Sequence, residues 1–399
     1  MYDYDICVVG GLGHVGFPLG LAFANAGKRV VLYDIDQNKI DMLASGTIPF
    51  KEEGAQQILN QVYGKNLYAT PDIESISKSR FVIIIIGTPV DEYLNPKYTS
   101  FINFFNGIID YLKDGQHVIL RSTVYPQTTE KVYKFLKESG KNVRVSYCPE
   151  RIAQGIALKE FRTLPQIVSS FDDDALDEVK SLFLAIADEV VPLSPLEAEL
   201  AKLFTNTWRY ISFATSNQFY QIAEQNGVDF YKIHHAVTYN YPRLKGFAGA
   251  GLTAGPCLHK DTMQLAAFSN NSFFLGHAAM LINEGLPNFI VQTIKQRNKM
   301  NDKTIGILGM TFKGDIDDNR DSLSYKLKKI CSIEAKSVVC SDPYLDDPEF
   351  ISQSDLIDRS DIIIIAAPHR RYAQADLPPC KIVVDIWNMF GKGTYFTTT

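Results

Sequence analysis

The stretch Ile6-Cys7-Val8-Val9-Gly10-Gly11-Leu12-Gly13-His14-Val15-Gly16 decides the fold. Its apolar run 6–9 has the length of a buried strand, and the small apolar residues 15–26 that follow read as a helix. Between them Gly11, Gly13 and Gly16 give the spacing GxGxxG, whose bare backbone permits a tight turn and close approach of a pyrophosphate to a helix N-terminus. Alone the motif is weak. Here a second strand follows at 29–33, and Asp34 ends it eighteen residues past the last glycine. A carboxylate at that place accepts hydrogen bonds from ribose hydroxyls and repels a 2′-phosphate. The reading is a dinucleotide site built from Gly11, Gly13, Val15, Gly16 and Asp34, taking NAD in preference to NADP.

Further strands are legible at 81–86, 117–120 and 144–146, so strand and helix alternate through the first third of the chain. That pattern implies a parallel doubly wound sheet, whose ligand crevice lies at the carboxyl ends of its strands. Thr88, after the strand at 81–86, and Thr123, after that at 117–120, are expected to face the cofactor and substrate. From about residue 194 the pattern changes. Residues 196–225 contain no Pro or Gly, and Leu200, Leu203, Phe204, Trp208, Ile211 and Ala214 recur at helical spacing. Thirty helical residues span about 45 Å, more than one small domain needs, so this helix should link two domains and offer a dimerisation surface. A Gly-rich loop at 246–255 precedes further helix around 262–286. Strands return at 304–308, 337–340, 361–366 and 381–385, but the turn at 309–313 lacks the glycine triplet. The expected fold is α/β: two Rossmann-like doubly wound domains, 1–193 and 298–399, joined by a long central helix and a helical dimerisation region, 194–297.

Composition narrows the function class. With 46% apolar and 21% charged residues in 399, the chain is an ordinary globular protein. A net charge of -5 argues against broad nucleic-acid binding. The six cysteines are scattered, with no CxxC pair, so no metal is expected and the thiols read as those of a reduced, cytoplasmic protein. The N-terminus lacks a basic leader and enters a strand directly, and the longest apolar runs fall far short of the roughly 20 residues that span a bilayer.

Three separated pieces carry reactive chemistry. Cys148-Pro149-Glu150-Arg151 ends a strand, Lys202 and Asn206 share one face of the long helix, and Gly255-Pro256-Cys257-Leu258-His259-Lys260-Asp261 closes the Gly-rich loop. Singly, each has a bland explanation in packing or solvation. Beside an NAD site they describe one reaction: an alcohol is oxidised to an aldehyde, a thiolate traps it, a second hydride loss gives a thioester, and a carboxylate activates water to release the acid.

The order and spacing of these pieces resemble the UDP-glucose/GDP-mannose dehydrogenase family from residue 5 to about 390. The likeness includes Ser122-Thr123-Val124, the Glu199…Lys202…Asn206 helix and Phe312-Lys313…Asp318-Asn319-Arg320. It implies NAD-dependent oxidation of the C6 alcohol of a nucleotide sugar, with Cys257 as nucleophile and Lys202 and Asn206 at the oxyanion. Glu150 would be the hydrolytic base, with Thr123 and Asp261 holding water or tuning the thiol. The resemblance further places Glu150, Arg151, Lys202, Asn206, Gly255 and Lys313 at the substrate, Arg320 at the cofactor, and Arg243 at a neighbouring subunit's substrate in a homodimer. Two features depart from the UDP-glucose pattern: Gln154 stands where a second carboxylate is usual, and Gly-Pro precedes the cysteine. Pro149-Glu150-Arg151 and Tyr241-Pro242-Arg243 look like the branch acting on UDP-N-acetylhexosamines, whereas Lys260-Asp261 looks like the UDP-glucose branch. The first of these substrates is favoured.

Two other readings stay open. A two-electron dehydrogenase of the 3-hydroxyacid type shares the N-terminal fold but needs neither the Cys257 loop nor a third domain. A non-catalytic sensor of NAD or nucleotide sugar has no need of Cys257, Lys202 and Glu150 together.

Overall fold

The computed structural model describes residues 2–87 and 98–398, with the backbone alone for 98–100. In chain order the strands are β1 (Tyr4–Val9), β2 (Val30–Tyr33), β3 (Leu67–Thr70), β4 (Ser79–Ile84), β5 (His117–Leu120), β6 (Arg144–Tyr147), β7 (Gln166–Ser170), β8 (Val190–Leu193), β9 (Thr304–Leu308), β10 (Ser337–Ser341), β11 (Ile362–Ile365), β12 (Ile382–Val384) and β13 (Tyr395–Thr397). The helices are α1 (Gly16–Asn25), α2 (Gln37–Ala44), α3 (Ala55–Val62), α4 (Tyr98–Ile108), α5 (Thr128–Glu138), α6 (Ala157–Thr163), α7 (Asp173–Phe183), α8 (Pro195–Gln225), α9 (Phe230–Thr238), α10 (Leu258–Phe268), α11 (Phe274–Arg297), α12 (Leu323–Glu334) and α13 (Gln353–Arg359).

Two compact units result, Met1–Thr205 and Asn206–Thr399. The first holds an eight-stranded sheet in the order β3-β2-β1-β4-β5-β6-β7-β8. Its first six strands are parallel, and β7 turns antiparallel to β6, with β8 parallel to β7. The strand order reverses at β1, so the crevice of this sheet opens past the ends of β1 and β4. The sequence dictates this arrangement through its alternation. Ile6 and Val8 pack into the apolar cluster on one face, and Cys7 and Val9 into that on the other. Both faces are covered, as a parallel sheet requires.

The second unit repeats the device. Its sheet runs β10-β9-β11-β12-β13, parallel except for β13. Ile362 and Ile364 join one apolar cluster while Ile363 and Ile365 join another. Both expected doubly wound sheets are therefore present. Side chains that start helices do so by satisfying orphan N–H groups: Asp36, Asp172, Asp229, Ser322 and Ser352 each accept from the first turn of α2, α7, α9, α12 and α13.

One element differs from the expectation. The helical stretch read at 262–286 is two helices, α10 and α11, parted at 269–273. Asn270 and Asn271 both adopt left-handed backbone, φ 52° and 57°, which asparagine tolerates and which ends α10. The second helix then continues through Pro287, eleven residues past the expected end, because a buried apolar face (Leu286, Ile290, Val291, Ile294) outweighs the lost N–H.

Candidate active site

In the first unit the fingerprint turn is shaped by contact on three sides and left open on one. Gly10, which the sequence reading passed over, has φ 74°, and a Cβ there would stand 2.0 Å from the Ile85 carbonyl oxygen. A Cβ on Gly11 would lie 2.8 Å from Leu32, and one on Gly16 would lie 2.4 Å from the Gly10 oxygen. These three glycines pack the turn against its own fold. Gly13 is different: a Cβ there would meet only the Gly10 oxygen, at 3.6 Å. Its bare backbone serves something outside the fold, which fits a pyrophosphate. Helix α1 begins just beyond with Val15 as N-cap and no capping side chain, so its positive end is available to an anion. Asp34 accepts from Leu12 N (2.9 Å) and Asp36 N (3.1 Å), which fixes its carboxylate beside the turn with acceptor capacity to spare for a ribose diol. The residues present fit NAD. Thr88 lies outside the described residues.

The next strand ends carry the second layer. Half-buried Thr123 follows β5, in a loop held by Ser122 Oγ on the Ile86 oxygen (2.7 Å). The far end of that loop is tied to α8: Glu199 accepts from Gln127 N (2.5 Å), Thr129 N (2.8 Å) and Thr129 Oγ1 (2.6 Å). Burial pushes the Glu199 carboxyl up, and these bonds act against that. One turn after Glu199 on the same helix stands Lys202, also buried.

Glu150, after β6, is buried and held by three donors. Its Oε1 accepts from Arg151 N (2.6 Å) and Ile152 N (2.9 Å), and its Oε2 accepts from the Nη2 of Arg121. Arg121 has no exposed surface. Burial pulls the Arg151 guanidinium below its ordinary range, the Glu150 charge resists this, and the Arg121 charge adds to it. The sequence alone assigns Arg121 no role. The signal was there: a cation ending the buried strand His117-Val118-Ile119-Leu120, where only a paired charge is tolerable.

In the second unit Cys257 is exposed and is the N-cap of α10, the positive end of a helix, where a thiolate is stabilised. One turn later Asp261 is fully buried. Its N–H donates to the Cys257 oxygen (2.8 Å), and its Oδ2 accepts from Asn206 Nδ2 (2.6 Å). Asp261 Oδ1 has no hydrogen-bond donor among the described residues, the Lys260 ammonium standing 3.7 Å away. Asn206, Asp261 and Cys257 are thus brought together, and Lys202 shares the Asn206 face of α8.

The loop before the cysteine is pinned twice. Asn217 of α8 donates to the Gly251 oxygen (3.1 Å) and accepts from the Gly251 N–H (2.8 Å), mimicking a strand partner. Gly255 has φ 102°, and a Cβ there would lie 2.5 Å from the Phe312 ring. Arg320 makes a bidentate pair with buried Asp318 (2.6 and 2.9 Å), which raises its pKa, and a Cys257 thiolate is close enough to raise it further. Exposed Lys313 follows Phe312 directly. Arg243 sits in the exposed turn Pro242–Leu244, its guanidinium over the Tyr241 ring at 5.7 Å.

The sequence matches the UDP-glucose/GDP-mannose dehydrogenase family along three stretches: its NAD binding domain over residues 4–187, its central domain over 196–284 and its UDP binding domain over 306–392. Among curated relatives, the UDP-N-acetyl-D-mannosamine dehydrogenase of Methanococcus maripaludis is 27% identical, over 92% of this chain and 87% of that one. Among solved structures, a UDP-D-ManNAc dehydrogenase from Pyrococcus horikoshii superposes with a TM-score of 0.86 at 28% identity, covering 93% of this chain and 91% of that one. A UDP-glucose dehydrogenase from Pyrobaculum islandicum gives 0.87 at 25% identity, covering 96% and 94%. The two sheets, the fingerprint turn and the Cys257 helix therefore have one setting: this chain belongs to the UDP-glucose/GDP-mannose dehydrogenase family and is an NAD-dependent nucleotide-sugar dehydrogenase.

Proposed function

We propose that the chain oxidises the C6 alcohol of a UDP-N-acetylhexosamine, UDP-N-acetylmannosamine foremost, to the uronic acid through a covalent Cys257 intermediate. The observation that carries the chemistry is Cys257 at the start of α10 with Asp261 one turn on, itself bound to Asn206. The alcohol gives up a hydride and a proton, and the Cys257 thiolate adds to the aldehyde. Loss of a second hydride from the thiohemiacetal leaves a thioester, and water then releases the carboxylate and the thiolate. NAD bound at the fingerprint turn supplies the hydride acceptor. Lys202 and Asn206 donate to the oxyanion of the tetrahedral species, Glu150 takes the proton of the attacking water, and Thr123 positions that water. Arg151, Gly255 and Lys313 hold the nucleotide sugar, and Arg320 the cofactor.

The choice of sugar rests on names and motifs. Relatives called UDP-N-acetyl-D-mannosamine dehydrogenase come from several organisms, and Pro149-Glu150-Arg151 favours that branch. Backbone likeness does not select it, since the Pyrobaculum UDP-glucose enzyme superposes equally well. Comparing kcat/KM on UDP-N-acetylmannosamine and UDP-glucose tests the assignment. A preference of at least tenfold for the first supports it, and a preference for the second assigns the chain to UDP-glucose.

The division into domains 1–193, 194–297 and 298–399 belongs to the same proposal, as do a cytoplasmic location and a homodimer. No helix among the described residues is long and apolar enough to cross a membrane. The dimer is supported by exposed apolar side chains along α8: Trp208, 70% exposed, and Phe204, Phe219 and Ile222. An apolar hollow of about 190 Å³ between α8 and α11, lined by Ile211, Ala214, Phe219, Leu275 and Ile282, adds to them. A second copy would cover it and bring Arg243 to its partner's substrate. Light scattering of W208E tests this: the wild type should be dimeric and the variant monomeric.

A further inference from the structure

Arg121 enters the site only through Glu150. Its Nη1 donates to the Cys148 oxygen (3.0 Å), and its Nη2 donates to Glu150 Oε2 and to Gln166 Oε1 (2.9 Å). The guanidinium is closed over by two rings, Phe183 at 4.8 Å and Phe161 at 5.8 Å. The group has no exposed surface, and among the described residues its one ionic partner is Glu150. An ionised carboxylate offers about four lone-pair positions. Two on Oε1 are taken by Arg151 N and Ile152 N and one on Oε2 by Arg121, so among the described residues a single acceptor position remains, on Oε2.

We infer that Arg121 is the positioning residue for hydrolysis, holding the Glu150 carboxylate in one rotamer with a single lone pair left for the attacking water. The inference rests on Glu150 being the hydrolytic base. The step balances: the water oxygen bonds to the thioester carbonyl carbon, its proton passes to Oε2, and the C–S bond breaks to return the Cys257 thiolate. The Glu150 proton then leaves to solvent. Arg121 exchanges no proton. Its contribution is the direction in which Oε2 points, so it acts on hydrolysis alone and leaves substrate binding and the two oxidations intact.

The test is acid-quenched turnover of UDP-N-acetylmannosamine with NAD, read by intact mass for the sugar adduct on Cys257, on the wild type, R121Q, R121K, E150Q and R121Q/E150Q. R121Q should slow hydrolysis on the order of tenfold or more and accumulate adduct, lowering kcat and KM together with kcat/KM unchanged. R121K, with one ammonium in place of a fork, should recover part of the rate. In the E150Q background R121Q should add less than about twofold, because its effect runs through Glu150. An equal slowing in both backgrounds is a structural effect and overturns the inference. So does R121Q without adduct where E150Q shows it. If E150Q itself shows no adduct, the base assignment falls and the inference with it. Should R121Q not fold, R121K carries the test, and hydrolysis by R121K at the wild-type rate overturns the inference.

Discussion

Asn206 donates from Nδ2 to Oδ2 of Asp261 at 2.6 Å, and this bond ties the central helix α8 to the helix that Cys257 begins. Asp261 is fully buried, so removing this donor leaves a buried polar oxygen unsatisfied. N206A leaves the carboxylate short of its donor. The expected cost is about 1–3 kcal/mol of stability, with reduced turnover, read by urea denaturation and steady-state kinetics. N206A with wild-type stability would mean that Asp261 finds another partner without strain.

C257S should bind NAD and UDP-sugar as the wild type does, since Cys257 is exposed at a helix start and packs little. Its turnover should fall on the order of a thousandfold or more, because a serine hydroxyl is far less ionised than a thiol. Isothermal titration and NADH release measure the two halves. Full activity in C257S removes the covalent route.

G255A tests the loop. The φ of 102° and the Phe312 ring 2.5 Å from a Cβ both oppose it. The expected outcome is a loss of about 1–3 kcal/mol and a displaced cysteine, seen as slower alkylation of Cys257 by iodoacetamide. An unchanged alkylation rate would show that the loop absorbs the methyl without moving the thiol.

Acid stability has a separate source. Glu178 accepts from His117 Nδ1 and Arg144 and pairs with Arg80, and these bonds, the His117 one largest, hold its carboxyl at about 2 against a burial effect that raises it. A depressed folded-state pKa contributes stability that is present above the ordinary carboxylate range and lost as pH falls toward about 2. E178Q should therefore be less stable than the wild type at pH 6, with the gap closing as pH falls below about 4.5, as followed by thermal melts. A gap constant from pH 6 to pH 3 would show that the charge contributes nothing.

Most of the fold was legible because it is written locally. Alternating apolar strands such as 304–308 and 361–366, and a thirty-residue stretch free of Pro and Gly, leave few alternatives. Short strands with exposed residues were not legible: β3, β8 and β13 are all edge strands of three to four residues, with little buried apolar pattern to mark them. The break at 269–273 was missed because left-handed asparagines carry no apolar signal. Within the site, Cys257, Asp261 and Asn206 could be named from motif spacing, and the structure brings the three together. Arg121 could not be assigned a partner from sequence, since its pairing with Glu150 spans 29 positions.

The most direct measurement is the number of NADH molecules formed per UDP-N-acetylmannosamine consumed by the purified protein with excess NAD. The account predicts two, with the uronic acid as sole sugar product. One NADH per sugar, with aldehyde released, would contradict the thioester route and leave a simple alcohol dehydrogenase in its place.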